Sequence, residues 1–377
     1  MKGKQGMVCM GLLLVLSSCH TGKQITASGL QRKDFQTEVN GQHTDLFTLS
    51  NKQGMEVCIT NYGARVVSIL VPDRNGKRED VVCGFSTITE YMEQRQNFGS
   101  TVGRYIGRIL NARFTLDGVE YKLVPNNGKS RHISHGGNPG FADRIWKVEQ
   151  ADTHRVRLSY LSPDGENGFP GNLKVTLVYS LGEDDNALDL TYEATTDAPT
   201  VLNLSHHSFF NISGNFTKSV EDQQLWVDAD RFTPYDDKKC VTGEYLPVAG
   251  TPLDFRMPHA IGECIDADHP QLKVVNGYDH TWELNTKGDD TRPAAWVYDP
   301  ASGRKMEIFT TEPGMQIYTG NGLKGKMTGK GRIAYPFRSA VCFETMHFQD
   351  SPNQPGFPST VLRPGEVFRS HTVYKFE

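Results

Sequence analysis

The stretch that decides the fold class is residues 172–196, NLKVTLVYSLGEDDNALDLTYEATT. Apolar or aromatic residues alternate with polar residues over two runs, 172–181 and 187–196, and a polar break beginning Gly182-Glu183 separates them. A period of two residues is typical of a strand with one buried face, and a polar break of this kind indicates a turn. The stretch therefore predicts two strands joined by a turn.

The same pattern extends through most of the chain. Runs rich in β-branched and aromatic residues occupy residues 55–72, 156–161, 304–312, 314–320 and 371–376. One short helix is predicted over Thr87–Gln96, where Thr87 and Glu90 have the spacing of a capping box. Composition does not break along the chain, and no linker or repeat interrupts it. These features predict an all-β protein, a large single-domain β-sandwich with a ligand site on one face.

The N-terminus predicts a targeting segment. Lys2 and Lys4 precede an apolar core, Met7–Leu16, that is too short to span a bilayer as a helix. The sequence LSSC that ends at Cys19 resembles the lipobox of bacterial lipoproteins. That resemblance implies cleavage before Cys19, acylation of this cysteine, and a lipid-anchored location in the cell envelope, on the periplasmic face or exposed at the surface. An ordinary cleaved signal peptide is the alternative.

Three segments follow from this prediction: a lipoprotein signal peptide at 1–18, a lipidated cysteine with a polar tether at 19–34, and the folded domain at 35–377. The formal net charge of −4 and the lack of a basic tract exclude nucleic acid as a partner. No CxxC or Cys/His cluster has zinc spacing, so no structural zinc site is expected. Sequence alone cannot pair the five cysteines beyond Cys19, which are Cys58, Cys83, Cys240, Cys264 and Cys342.

A set of polar side chains lies inside or beside apolar, strand-like stretches. An ionisable group there is costly unless it is paired or used in chemistry. Two histidines, one arginine and two carboxylates suit a neutral polyol whose protons must be moved. The candidates for sugar chemistry are Arg108, His135, His207, Asp254, Gln316 and Glu344.

The histidines each have a structural alternative. His206 and His207 are neighbours on a predicted strand, so at most one of them faces a given site. Apolar residues flank the pair on both sides, at Val201-Leu202 and Phe209-Phe210. A histidine in such surroundings is more often a core residue than a catalyst. His132 and His135 have the spacing of a metal site, but two glycines and a proline follow them and deny the helix that such chelation needs. A loop histidine that contacts a ligand is the simpler interpretation.

The arginines and aspartates are also ambiguous. Arg104 and Arg108 lie four residues apart, so on a strand both would face the same side. Two solvated arginines are the alternative. Asp254 and Asp279 follow or precede aromatic residues, an arrangement that grips sugar hydroxyls and the C–H face of a ring. For Asp279, a plain turn residue is almost equally compatible with the sequence.

Glu344 lies in the strand-like run SAVCFETMHF. Alternation places Cys342, Glu344 and Met346 on one face of that strand. A carboxylate among such neighbours loses hydration, which raises its pKa and makes it a better base. A structural carboxylate paired with Arg108 or a histidine is the alternative.

Taken together, the segments resemble the aldose 1-epimerase, or galactose mutarotase, family from about Phe47 to Phe376. The resemblance depends on the joint order of several motifs: residues 61–85, 101–123, 133–137, 140–148, 203–214, 247–256, 277–282, 310–321 and 342–366. It implies the supersandwich fold of galactose mutarotase. The lipobox would make this chain a bacterial lipoprotein member of the family.

The resemblance also implies roles for individual residues. Glu344 matches the base that takes the proton of the anomeric hydroxyl, and His207 matches the acid that protonates the ring oxygen. His135 matches a histidine that helps to hold the sugar. Hydroxyl-binding positions match Arg108, Asp254 and Gln316. Some members have asparagine directly before the arginine, where this chain has Gly107, and the motif ISHGG replaces the LHGG of many members.

The leading hypothesis is an aldose 1-epimerase that interconverts the anomers of free galactose and glucose without a metal or redox cofactor. The expected partner is the sugar alone, bound by a monomer that meets the membrane only through Cys19. A carbohydrate-binding envelope lipoprotein that lost catalysis is the main alternative. An epimerase for phosphorylated hexoses would need further cationic side chains, and a hydrolase or lyase would need a second carboxylate or a tyrosine.

Overall fold

The structure is a computed structural model that describes residues 24–377. The predicted signal peptide and Cys19 lie outside the described residues. Alternation in the stretch 172–196 has the predicted consequence: strand Leu173–Leu181 buries every second residue and pairs antiparallel with strand Ala187–Thr196. Side chains of opposite polarity therefore face the core and the solvent.

Two large antiparallel sheets form the sandwich. The nine-stranded sheet contains, in spatial order, Lys147–Ala151, Arg155–Ser162, Leu173–Leu181, Ala187–Thr196, Phe368–Phe376, Lys305–Thr310, Ala295–Tyr298, Gln224–Val227 and His259–Ala260. The six-stranded sheet contains Phe209–Phe210, Val341–Met346, Gly314–Tyr318, Asp279–Glu283, Arg231–Thr233 and Leu246–Pro247. A four-stranded sheet contains Leu46–Ser50, Glu56–Thr60, Arg65–Pro72 and Arg78–Asp80.

Short strand pairs connect these sheets: Glu38–Val39 with Gln42–His43, Ser100–Val102 with Ser205–His207, Arg108–Ile109 with Ile133–Ser134, Arg113–Leu116 with Val119–Lys122, and Thr200–Val201 with Val361–Leu362. The α-helices of the described residues are Ile88–Gln94 and Pro270–Val275. Single 3₁₀ turns occupy Arg32–Phe35, Leu110–Ala112, Gly128–Ser130, Phe141–Asp143, Glu166–Gly168, Ile261–Glu263, Lys330–Arg332 and Ser351–Asn353. In the part of the chain that the structure describes, no helix has the length and apolar character to cross a membrane.

The predicted helix is confirmed together with its cap. Thr87 Oγ1 accepts a hydrogen bond from the Glu90 backbone N–H at 3.2 Å, and the Glu90 carboxylate accepts one from the Thr87 N–H at 2.9 Å. This reciprocal pair satisfies two amides that the helix leaves unpaired. The capping box in the sequence therefore predicted the N-cap of the helix, Thr87, correctly.

The main hydrophobic core lies between the two large sheets. It joins Leu190 and Tyr374 of the nine-stranded sheet to Trp282, Ile317 and Phe343 of the six-stranded sheet, all of them at most 1% exposed. The Tyr374 hydroxyl donates to the Phe343 carbonyl at 3.0 Å and fixes the sheets to each other. The prediction of a large all-β sandwich is confirmed.

Part of the predicted tether belongs to the folded domain. The backbone N–H groups of Ala27 and Ser28 donate to the buried Glu56 carboxylate at 3.0 and 3.1 Å. Leu30 is buried, and Arg32 Nε donates to the Asp45 carboxylate at 2.8 Å. Residues 24–34 therefore pack on the folded domain, a feature that their polar sequence did not indicate.

The solvent-facing side of the nine-stranded sheet carries an imidazole between two carboxylates. His371 contacts Asp189 through Nε2 at 2.9 Å and Asp290 through Nδ1 at 2.6 Å. The hydrogen bond with Asp189 is the largest cause that raises the pKa of His371, to about 9. The imidazole is therefore charged at neutral pH and crosslinks its strand to both aspartates. All five cysteines of the described chain have free thiols.

Candidate active site

A cavity of about 240 Å³ lies where the six-stranded sheet meets the strand Ser205–His207 and the loops around residues 96, 108 and 135. Most of its lining side chains can form hydrogen bonds. The lining residues are Gln96, Asn97, Gly107, Arg108, Ser134, His135, His207, Phe209, Asp279, Gln316, Tyr318, Glu344, Met346 and Gln349. Five of the six predicted site residues meet here.

Strand register brings the first of these residues together. Strands Gly314–Tyr318 and Val341–Met346 pair antiparallel, and Gln316 lies directly opposite Glu344. Their neighbours Ile317 and Phe343 point into the sandwich core. Because side chains alternate between the faces of a sheet, Gln316 and Glu344 face the cavity.

Glu344 and His207 form a buried pair. Nε2 of His207 lies 3.3 Å from Oε1 of Glu344, and the two side chains are only 7% and 5% exposed. Burial, followed by the charge of Asp279, raises the pKa of Glu344 well above its ordinary value. Burial, followed by the neighbouring His135 and His206, holds the pKa of His207 well below its ordinary value. A raised pKa makes a carboxylate a stronger base, and a lowered pKa makes an imidazolium a stronger acid.

His135 lies beside this pair, and the backbone of its loop holds it there. Its ring centroid lies 5.5 Å from that of His207. Its backbone has φ +52°, and the next residue, Gly136, has φ +78° with room for no side chain, since a Cβ there would lie 1.9 Å from the Gly103 carbonyl oxygen. Burial, followed by the Arg108 charge, lowers the pKa of His135 to about 4. His135 is therefore neutral at physiological pH, and its Nδ1 has no partner among the described residues.

Asp279, Gln316 and Arg108 form a polar wall of the cavity. Gln316 Nε2 donates to Asp279 Oδ1 at 2.6 Å, and Gln316 Oε1 accepts from the Thr281 hydroxyl at 2.5 Å. Burial raises the pKa of Asp279, and the Arg108 charge partly offsets that effect. Arg108 also donates to the Lys239 carbonyl at 3.3 Å. The wall presents a carboxylate, an amide and a guanidinium, which together bind both the donor and the acceptor sides of hydroxyl groups.

The structure does not bring Asp254 to the other predicted site residues. Asp254 does not line the cavity, and its two carboxylate oxygens accept Nε and Nη2 of Arg256, each at 2.8 Å. A carboxylate already engaged by a bidentate guanidinium has few acceptor sites left. The cavity aspartate is Asp279, for which the sequence left a turn residue as an almost equal alternative.

Arg104 is also placed differently from the expectation. It is 1% exposed and donates five hydrogen bonds, four of them to backbone carbonyls of residues 162–171. The strand Ser100–Val102 ends before it, so the argument that residues four apart share a face does not apply. Arg104 holds a loop, whereas Arg108 faces the cavity.

Two further histidines have structural roles. His206 lies in the core between the Ser208 hydroxyl, at 2.6 Å from Nε2, and the Tyr179 hydroxyl. His132 Nδ1 accepts the Asn111 N–H at 2.9 Å, and its Nε2 lies 3.3 Å from the Cys240 sulfur. His132 and His135 therefore share no metal-binding geometry.

A metal ion is one geometric possibility within the described cavity. Ligand atoms of His207, Cys342 and Glu344 all lie within 4.8 Å of one another. Burial and the nearby Glu344 keep the pKa of the Cys342 thiol well above its ordinary value. Since the thiolate is the metal ligand, a metal would have to displace a firmly held proton. The donor set fits proton transfer better than metal binding.

A larger cavity, of about 500 Å³, opens elsewhere, around Arg304 and the turn at Asp73. Its lining mixes carboxylates with lysines and contains neither a histidine nor an aromatic ring. Sugar sites commonly use an aromatic face, and acid–base chemistry near neutral pH commonly uses histidine. The smaller cavity is therefore the better active-site candidate.

The sequence pattern missed several residues of the site, and Gln349 and Tyr235 are two of them. Gln349 lines the cavity, and the Tyr235 hydroxyl contacts both Gln349 and Gln316 from behind. Both come from irregular segments that follow strands, so no periodicity marked them. One signal was available: the amide side chain of Gln349 lies in the sequence beside aromatic residues that flank the strand, where a polar residue can indicate a binding site.

The fold and the site together define a β-sandwich protein whose cavity combines hydroxyl-binding side chains with an acid–base pair. The sequence pattern of the family described as "Aldose 1-epimerase" matches residues 45–375. A galactose mutarotase from Sus scrofa is 38% identical over 330 residues, which cover 88% of this chain and 93% of the relative. An aldose 1-epimerase from Escherichia coli K12 is 36% identical over 339 residues, which cover 89% and 96%.

Solved structures agree with these matches. An aldose epimerase homologue from C. elegans superposes with a TM-score of 0.81 at 30% identity and covers 89% of this chain and 99% of its own. A galactose 1-epimerase from Lactobacillus acidophilus gives a TM-score of 0.78 at 27% identity, with coverage of 90% and 96%. The chain belongs to the aldose 1-epimerase family, and it is an isomerase. The family predicted from the sequence motifs is confirmed.

Proposed function

We propose that this protein interconverts the α and β anomers of free hexoses, with galactose and glucose as the substrates to test first. The observation that carries the proposal is the buried Glu344–His207 pair, at 3.3 Å, inside a cavity of hydroxyl-binding side chains. The relatives named galactose mutarotase and aldose 1-epimerase support the same reaction.

The pair performs one proton removal and one proton donation. Glu344 takes the proton from the O1 hydroxyl, and the O1 electron pair forms the C1=O1 double bond. The C1–O5 bond breaks, and its electron pair stays on O5, which takes a proton from the imidazolium form of His207, the form that the facing Glu344 carboxylate stabilises. The ring has then opened to the free aldehyde, with a proton gained by Glu344 and one lost by His207.

Ring closure reverses these transfers. Rotation about C1–C2 turns the other face of the carbonyl towards the O5 hydroxyl. His207 takes back the O5 proton while O5 attacks C1, and Glu344 returns a proton to O1. Each proton transfer by a positioned group contributes on the order of 10²–10⁴ to the rate. The wall of Arg108, Asp279 and Gln316 keeps the remaining hydroxyls in place during the rotation.

The charges of the cavity favour a neutral sugar over a phosphorylated one. Arg108 is the one lysine or arginine among the lining residues, and Asp279 and Glu344 are acids. A phosphate carries between one and two negative charges at neutral pH, and its binding sites usually supply several donors or cations. The phosphorylated-hexose alternative therefore lacks support in this cavity.

Polarimetry of freshly dissolved α-galactose and α-glucose tests the reaction. The protein is expected to speed mutarotation strongly over buffer, and Glu344→Gln is expected to remove two or more powers of ten of that rate. The matched control is Glu312→Gln, which alters a second Glu–His pair outside the cavity, with a buried Glu312 whose Oε2 lies 2.7 Å from Nδ1 of the partly exposed His347. A wild-type protein that binds sugar but does not exceed the buffer rate would favour the binding-lipoprotein alternative.

The location is a second part of the proposal. We propose that Cys19 carries a lipid anchor in the cell envelope and that the protein acts there as a monomer. The support is the sequence LSSC after a short apolar core. Labelling of growing cells with an alkyne fatty acid is expected to mark the wild type and not Cys19→Ala. Equal labelling of both would contradict the anchor, and a dimer mass in light scattering would contradict the monomer.

A further inference from the structure

Gln349 occupies the space that a side chain at position 107 would need. Gly107 has φ +73°, and a Cβ built on it would lie 2.5 Å from Gln349 Cγ and 3.0 Å from Gln349 Cδ. The two positions are therefore alternatives, since a side chain at one excludes the observed side chain at the other. Gly107 immediately precedes Arg108. The space that is filled either from position 107 or from position 349 therefore lies at the cavity wall.

The amide of Gln349 is fixed by its neighbours on one side only. Nε2 donates to the Tyr235 hydroxyl at 2.6 Å and lies 3.3 Å from Gln316 Oε1. No hydrogen bond reaches Gln349 Oε1 from the residues that the structure describes, yet the side chain is 4% exposed and lines the cavity. The free acceptor therefore opens onto the cavity, where a hydroxyl of a bound ligand can donate to it.

We propose that Gln349 is a specificity-determining residue whose Oε1 accepts a hydrogen bond from one hydroxyl of the bound hexose, and that Gly107 is small in order to admit it. The inference rests on the proposed mutarotase function, which supplies the sugar. Because Nε2 is held by Tyr235 and Gln316, the acceptor is oriented before the sugar arrives. Such preorganisation lowers the entropy that binding must overcome.

The contact involves groups other than the acid–base pair. Gln349 bonds to Gln316 of the polar wall and to Tyr235 behind it, while Glu344 and His207 perform the proton transfers. A group that holds the substrate in both ground and transition states changes KM more than kcat. Gln349→Ala is therefore expected to raise KM by roughly 3- to 10-fold, the range for one neutral hydrogen bond, with kcat within threefold of wild type.

A swap of the two positions separates this role from a structural one. Gly107→Asn alone is expected to displace Gln349 and to raise KM at least as much, since asparagine tolerates a positive φ but its Cβ collides. The double variant Gly107→Asn with Gln349→Ala removes the collision and returns an amide, so its KM is expected to be lower than that of Gly107→Asn alone. Thermal melting of all three variants shows whether each is folded.

Deoxy sugars identify the hydroxyl. Mutarotation kinetics are measured with galactose and with its 2-, 3-, 4- and 6-deoxy analogues, for wild type and Gln349→Ala. One analogue is expected to react equally well with both proteins, because the hydroxyl that Gln349 would bind is missing. An equal penalty of Gln349→Ala on every analogue would overturn the proposal, as would an unchanged KM for galactose or a double variant whose two effects simply add.

These results can be told apart from a failure of the proposed reaction. If the wild type does not speed mutarotation, the proposed function is wrong, and calorimetric binding of galactose to wild type and Gln349→Ala still tests the contact. In that case, weaker binding to the variant, by the same 3- to 10-fold, supports the proposal. Equal binding overturns it.

Discussion

Arg104 and Arg108 are four residues apart, but their contacts differ so much that substitution of each should affect a different property. Arg104 is buried and donates to one hydroxyl and four backbone carbonyls between residues 162 and 171, at 2.8–2.9 Å. Methionine in its place fills a similar volume and removes all five hydrogen bonds. At about 1 kcal/mol for each lost bond, less the relief from burying the charge, Arg104→Met should cost about 3–5 kcal/mol.

That free energy corresponds to a measurable shift in melting temperature. At about 2.1 cal/mol/K per residue, a domain of about 350 residues unfolds with an entropy of roughly 0.7 kcal/mol/K. Arg104→Met is therefore expected to melt about 4–7 °C below the wild type in a calorimeter. Activity per folded molecule should remain close to wild type, because Arg104 does not line the cavity.

Arg108→Met is the matched comparison. Its described protein contact is one bond of 3.3 Å to the Lys239 carbonyl, so its melting temperature should stay within about 2 °C of wild type. Loss of a charged donor to a sugar hydroxyl should lower kcat/KM by roughly 10- to 100-fold. Equal melting temperatures for the two variants, or a normal kcat/KM for Arg108→Met, would refute this separation of roles.

Four other outcomes are expected. Asp279→Asn should lower kcat/KM at least tenfold in polarimetric assays, while Asp254→Asn should leave it within about twofold; the reverse order would contradict the placement of these carboxylates. Because burial raises the pKa of Glu344, kcat/KM should fall on the acid side through a pH above 4.5, and a limb at or below 4.5 would contradict that shift. The folded pKa of His371 is raised from 6.5 to about 9, so its stabilisation is complete below 6.5 and is lost as pH rises towards 9. The difference in urea unfolding between wild type and His371→Gln should shrink over that range, whereas a constant difference would contradict it. Dialysis against EDTA should leave mutarotation unchanged; a loss that zinc restores would show that a metal ion takes part.

Residues inside strands were predictable from the sequence because their geometry is local. Alternation alone placed Cys342, Glu344 and Met346 on one face, and Glu344 and Met346 line the cavity. The same argument failed for Arg104 and Arg108, because the backbone leaves the strand conformation after Val102 and re-enters it only at Arg108. A period of two applies only while the strand lasts.

Asp254 and Asp279 could not be separated by composition, since both lie beside aromatic residues. Asp279 reaches the cavity because strand Asp279–Glu283 pairs with Gly314–Tyr318, a register between distant segments. One local signal was available for Asp254: Arg256 follows two residues later and captures its carboxylate. Gln349 carried no periodic signal, because it lies in the irregular segment after its strand.

The packing of residues 24–34 on the domain would limit the distance between the enzyme and a membrane if the proposed anchor at Cys19 is present. If Cys19 bears the anchor, five residue steps separate it from Gln24, and a fully extended chain of that length spans at most about 18 Å. A globule of about 350 residues is roughly 50 Å across. The connecting segment would thus be shorter than the diameter of the domain. The enzyme would then stay within a thin layer along the bilayer, where its local concentration exceeds the average over the surrounding compartment.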